Sequence, residues 1–64
     1  MKVRDAIKRI EGDGWVLLRT RGSHRVYGHR DKLGIVVVPG NMGKDLAPGT
    51  LASIWRQAGL ENQQ

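Results

Sequence analysis

The chain contains no cysteine. Disulfide staples and thiolate metal sites are therefore excluded, and the composition fits a reducing compartment. Acidic residues are scarce too. Six Asp and Glu stand against eleven Lys and Arg, for a formal net charge of +5. No apolar run approaches the roughly 18 residues of a membrane span. The opening MKVRDAIKRIEG has no apolar h-region, so it does not read as a signal peptide. Repeats, low-complexity tracts and interdomain linkers are also missing. These absences predict one soluble, cytoplasmic domain over residues 1–64, with no membrane partner. A chain this short buries only roughly 60% of its unfolded surface, so its core is marginal.

What is present is concentrated positive charge. Between Arg19 and Lys32 lie five basic residues, Arg19, Arg21, Arg25, Arg30 and Lys32, and one acid, Asp31. An anionic partner is expected, with nucleic acid first. The alternative is a solvated basic hairpin that keeps the chain soluble.

Val3, Ile7 and Ile10 recur at helical spacing with Ala6 beside them, which predicts a helix over residues 2–11. Gly12 offers its left-handed cap, and Gly14 keeps it from resuming. Trp15 to Thr20 is rich in strand formers. Arg21-Gly22 marks a tight turn, with Gly22 supplying positive φ. His24 to Gly28 forms a second strand, Arg30 to Gly34 the next turn, and Ile35 to Pro39 a third strand ended by proline. The short links imply an antiparallel meander. Pro39 to Gly49 reads as a flexible connector. Leu51, Ile54, Trp55 and Ala58 then fall on one helical face. Thr50 is the expected N-cap, and Gly59 with Leu60 the expected Schellman ending. The order α-β-β-β-α predicts an α+β fold, with a three-stranded antiparallel sheet and both helices on one of its faces. Strand three is apolar throughout, so either Ile35 and Val37 or Val36 and Val38 must face away from the helices. Loops or a protein partner would cover that pair.

Both histidines fall within TRGSHRVYGH, residues 20–29. Histidine suits proton transfer near neutral pH. RNA cleavage without a metal needs a base for the 2′-hydroxyl, an acid for the departing 5′-oxygen, and cations around the phosphorus. His24 follows Gly22-Ser23, where backbone N–H groups can face a phosphate; Arg21 and Arg25 are placed to hold it. Period-two alternation puts His24, Val26 and Gly28 on one face, and Arg25, Tyr27 and His29 on the other. With Val26 toward the helices, His24 sits at the rim of the core. A satisfied rim histidine without catalysis is the competing reading. His29, beside the Arg30 turn, is expected to be solvated. Histidines five apart on a strand face opposite ways, so neither a metal site nor a cofactor is expected. Gly40 to Lys44 has the wrong spacing for a phosphate loop and lacks the hydroxyl after lysine. Lys44 is expected to touch RNA, and Lys8 and Arg9 to supply wider phosphate contact. Trp55 is expected in the core, and so is Trp15, with an interface anchor as its alternative role.

The chain resembles HicA-type toxins of bacterial toxin–antitoxin systems along nearly its whole length. The likeness rests on the early helix, Gly14-Trp15, the run Arg21-Gly22-Ser23-His24-Arg25-Val26-Tyr27, the strand closing in Val38-Pro39, and the ending Pro48-Gly49-Thr50-Leu51 through Ile54-Trp55 to Ala58-Gly59-Leu60. Arg25 stands where many relatives carry a second histidine, and Trp55 where leucine is usual. The resemblance implies a fold like a double-stranded-RNA-binding domain and a ribonuclease that cleaves messenger RNA and halts growth. It maps the catalytic histidine of the G-S-H motif onto His24. It also implies a HicB-type antitoxin that binds the toxin and masks that histidine. The expectation is a metal-independent endoribonuclease with His24 as general base and Arg21, Ser23, Arg25 and Lys44 on the RNA backbone. The alternatives are a non-catalytic RNA-binding module of the same fold and a protein-binding domain with a basic face.

Overall fold

A computed structural model describes residues 1–61. The chain runs α1 (Val3–Gly12), β1 (Val16–Arg21), β2 (His24–Gly28), β3 (Val36–Val38) and α2 (Pro48–Ala58), the expected α+β order. Helix α1 buries Val3, Ala6, Ile7 and Ile10, the residues whose spacing predicts it. It runs slightly past its expected end. Asp13 closes it at φ −88°, and Gly14, at φ 105°, makes the left-handed turn expected of Gly12. The Gly14 N–H donates to the Glu11 carbonyl at 3.0 Å, and the Trp15 N–H to that of Ile10 at 3.1 Å. These are the paired bonds of a Schellman ending. Helix α2 ends the same way. Gly59 lies at φ 72°, its N–H donates to Arg56 O at 3.3 Å, and the Leu60 N–H donates to Trp55 O at 2.8 Å. Each ending drops the next apolar residue into the core, so Trp15 and Leu60 are both 2% exposed. Trp15 therefore leaves the strand it was expected to open.

Helix α2 starts earlier than the expected cap at Thr50. Ala47 is its N-cap, without a side-chain hydrogen bond, and Pro48 opens the first turn. The fixed φ and missing N–H of proline suit that position, so Thr50 lies inside the helix.

The sheet is antiparallel in the order β1-β2-β3. Tyr27, Val36 and Val38 join the apolar residues of both helices in one core, which places both helices on one face. Val37 and the 48% exposed Ile35 take the opposite direction. Tyr27, not Val26, points at the helices. A tyrosine ring buries about 150–250 Å², far more than valine offers, so its side of β2 wins the core. Burial also raises the pKa of the Tyr27 hydroxyl. The choice turns Val26, Gly28 and His24 to the open face, not to the rim of the core.

The segment after β3 is not a loose connector. It is tied to the start of α1: the Val3 N–H donates to Lys44 O at 2.9 Å, Arg4 N–H to Met42 O at 3.0 Å, and Leu46 N–H to Met1 O at 2.9 Å. Loop carbonyls thus satisfy the first amides of the helix. That polarity is the reverse of a phosphate-cradling loop, whose N–H groups face outward.

Candidate active site

The β1–β2 hairpin has a two-residue loop, Gly22-Ser23, closed by the pair Arg21 and His24. Gly22 has φ 60°, and Ser23 is not at positive φ. Positive φ at the first central residue alone defines a type II′ turn, whose twist matches the flanking strands. The turn therefore fixes His24 directly opposite Arg21 on one face, with Cβ atoms about 5 Å apart. Both residues are exposed. The His24 ring makes no hydrogen bond to any described residue, so it is not a satisfied rim histidine.

Further along, the register slips between Leu17 and Arg19. This bulge brings Arg19 opposite Val26 and turns it to the face that carries His24. Leu18 lies against Gly28 on that face; a Cβ on Gly28 would meet Leu18 Cδ1 at 2.8 Å. Arg19 was legible as part of the basic window, but an inserted residue leaves no sequence signature, so its place at the site was not.

Of the other expected contacts, Ser23 adjoins His24 and the rest lie elsewhere. Arg25 takes the helix side, where its Nη1 donates to Gly40 O at 2.7 Å and more distantly to Ser23 O at 3.4 Å. It fastens the segment after β3. Lys8 and Arg9 ride on α1, in the layer behind the sheet, and the Arg9 guanidinium sits 5.6 Å over the ring of Trp55. The Trp55 indole is thus housed in the core, 2% exposed, beneath that cation. Lys44 lines an open depression of about 310 Å³ between the starts of the helices, with Asp45 and Thr50.

His29 is not solvated. Its side chain is only 7% exposed. Nε2 lies 2.7 Å from Asp13 O, and Nδ1 accepts the N–H groups of Asp31 at 3.0 Å and Lys32 at 3.2 Å. Two donors on Nδ1 assign the proton to Nε2. The ring also meets Trp15 edge-on at 5.1 Å. Beside it, Lys32 Nζ binds the Asp13 carboxylate and donates to Ala58 O at 3.0 Å. The Lys32 hydrogen bond holds the Asp13 carboxyl below the ordinary aspartate range, against the opposing effect of desolvation. His29 is therefore occupied with joining the end of α1 to the β2–β3 loop, away from His24.

Among the described residues no group of three His, Cys, Asp or Glu gathers to hold a metal, and no helix is long and apolar enough to cross a membrane. No curated protein matches the chain. A family model described as HicA toxin of bacterial toxin-antitoxin matches residues 3–60, a span that includes every helix and strand and the His24 hairpin. With that match the chain belongs to the HicA family, as a toxin of a bacterial toxin–antitoxin system.

Proposed function

We propose that this toxin is a metal-independent endoribonuclease that cleaves messenger RNA, with His24 as its general base. The observation that carries the reading is an exposed imidazole, free of hydrogen bonds to described residues, held opposite Arg21 by a type II′ turn. An unprotonated ring nitrogen of His24 takes the 2′-hydroxyl proton. The 2′-oxygen attacks phosphorus, and the bond to the 5′-oxygen breaks. A 2′,3′-cyclic phosphate and a 5′-hydroxyl result. Arg21 and Arg19 stabilise the charge that builds on the phosphoryl oxygens, and the amides of the Gly22-Ser23 turn face the same ligand. Arg25 faces the helices, where its guanidinium is bound to Gly40 O, so water protonates the leaving oxygen. His24, then protonated, is the acid when water opens the cyclic phosphate. Lys8, Arg9 and Lys44 meet only RNA long enough to pass beyond the open face. The antitoxin that the family implies is read as HicB-type.

The test is cleavage of single-stranded RNA in EDTA. Wild type should release cyclic-phosphate products, and His24→Ala should be slower by about 10²–10⁴-fold. Equal cleavage by both proteins would overturn the assignment. Retention of RNA by wild type without any product would leave a non-catalytic RNA-binding module instead.

A further inference from the structure

The turn that carries His24 overhangs the sheet. Strand β3 pairs with β2 only at Arg25, Val26 and Tyr27, so His24 has a partner on β1 and none on β3. Continued past Arg25 and Val38, that register would set Pro39 opposite His24 and Gly40 opposite Ser23. Proline has no N–H to give to a ladder, and Gly40, at φ 91°, turns the chain away. On the other side all six residues of β1 are exposed, and a two-stranded ribbon without a packed face is marginal in water. The turn has no packing of its own: a Cβ on Gly22 would find nothing within 4 Å.

Arg25 fills the gap. Its side chain is half-buried on the helix side. One nitrogen, Nη1, donates to both carbonyls that the missing ladder would have faced, Gly40 O at 2.7 Å and Ser23 O at 3.4 Å. Among the described residues no other side-chain hydrogen bond reaches Gly22 or Ser23. The Gly40 end is firm. A Cβ there would lie 3.5 Å from Val3 Cγ2, and the residues that follow bind the first amides of α1 through Met42 O and Lys44 O. One guanidinium, always charged and donating charge-assisted bonds, thus ties the hairpin tip to the start of α1.

We propose that Arg25 is a positioning residue. It holds no phosphate; it keeps the Gly22-Ser23 turn, and with it His24 and Arg21, in register for the reaction. This rests on the ribonuclease reading for its catalytic meaning, whereas the tether itself does not. Proton abstraction needs the ring within hydrogen-bond reach of the 2′-hydroxyl, so a loosened tip loses rate before it loses affinity. A phosphate contact predicts the opposite, weaker binding with a shallower salt dependence.

The experiment compares full-length wild type, Arg25→Met and Arg25→Lys, each checked for folding by circular dichroism. Methionine keeps much of the stem and no donor, and lysine keeps a charged donor. On single-stranded RNA, Arg25→Met should lower kcat about tenfold with KM unchanged. Its slope of log affinity against log salt, read with 2′-O-methyl RNA, should match wild type. Amide hydrogen exchange at His24 should quicken at least about fivefold, with Ile54 and Trp55 unaffected, since only the tip is released. Arg25→Lys should restore both rate and protection. A slope lower by about 0.7 in Arg25→Met would overturn the proposal and make Arg25 a phosphate contact. An unchanged kcat, or a lower kcat without faster exchange at His24, would also sink it. Equal quickening at Ile54 and Trp55 would make Arg25 a general stabiliser instead. If Arg25→Met does not fold, Arg25→Gln, too short to reach both carbonyls, takes its place with the same expectations. If wild type cuts no RNA, the ribonuclease reading fails, and exchange at His24 alone decides whether the tether holds the turn.

Discussion

Two histidines five positions apart have opposite fates, and the difference is one of neighbours. His24 lies at the hairpin tip, where the only residue opposite it is Arg21. His29 meets the end of α1, a segment far from it in sequence, through Nε2 against Asp13 O, and spends Nδ1 on the Asp31 and Lys32 N–H groups of its own loop. The alternation that put them on opposite faces was legible from residue spacing. The arrival of Asp13 beside one of them was not, because it depends on where the helix stops. Gly14 controls that stop. It needs φ 105°, and a Cβ there would come within 2.8 Å of His29 Nε2. Gly14→Ala should therefore cost about 1–3 kcal/mol for the backbone alone, a large share of the stability of so small a domain. Urea denaturation followed by tryptophan fluorescence measures it. A loss below about 0.5 kcal/mol would mean that the turn at Gly14 is not under strain.

Among the elements, the periodicities of both helices were readable because each must bury one stripe. The caps were readable only in part. Gly59 and Leu60 behave as their types suggest, whereas Thr50 lost its cap role to Pro48 and Gly12 lost its left-handed turn to Gly14. Those shifts follow from competition between neighbouring signals. The ends of the two helices meet at Lys32, which binds the Asp13 carboxylate and the Ala58 carbonyl, where a cation also suits the end of α2. The depressed pKa of Asp13 has a defined consequence. A carboxyl whose folded pKa lies below its unfolded value adds stability at every pH above that unfolded value. The contribution fades as pH falls below about 4 and is gone once pH passes the folded value. Asp13→Asn should cost about 1 kcal/mol or less at pH 7 and should flatten the stability curve as pH falls below about 4. Thermal melts of both proteins across that range decide it; parallel curves would remove Asp13 from the acid response.

For the molecule as a whole, the sheet divides the cations into two sets. Arg19 and Arg21 share the open face with His24, and Lys8 and Arg9 lie in the helix layer. With uncleavable 2′-O-methyl RNA, Arg21→Ala should lower the slope of log affinity against log salt by about 0.7 on a short oligonucleotide. Lys8→Ala should leave that slope unchanged on the short strand and lower it only on a long one. An equal effect of Lys8→Ala on both lengths would mean that the RNA path begins on the helices. The order of elements, the apolar stripes and the histidine at the turn were determined by local sequence, since each depends on the spacing of residues within one segment. Which face of β2 turned inward, where the extra residue entered β1, and which histidine stayed free were decided only by tertiary structure. Those outcomes depend on how much surface the Tyr27 ring can bury and on the end of α1 meeting the β2–β3 loop, segments distant in the sequence.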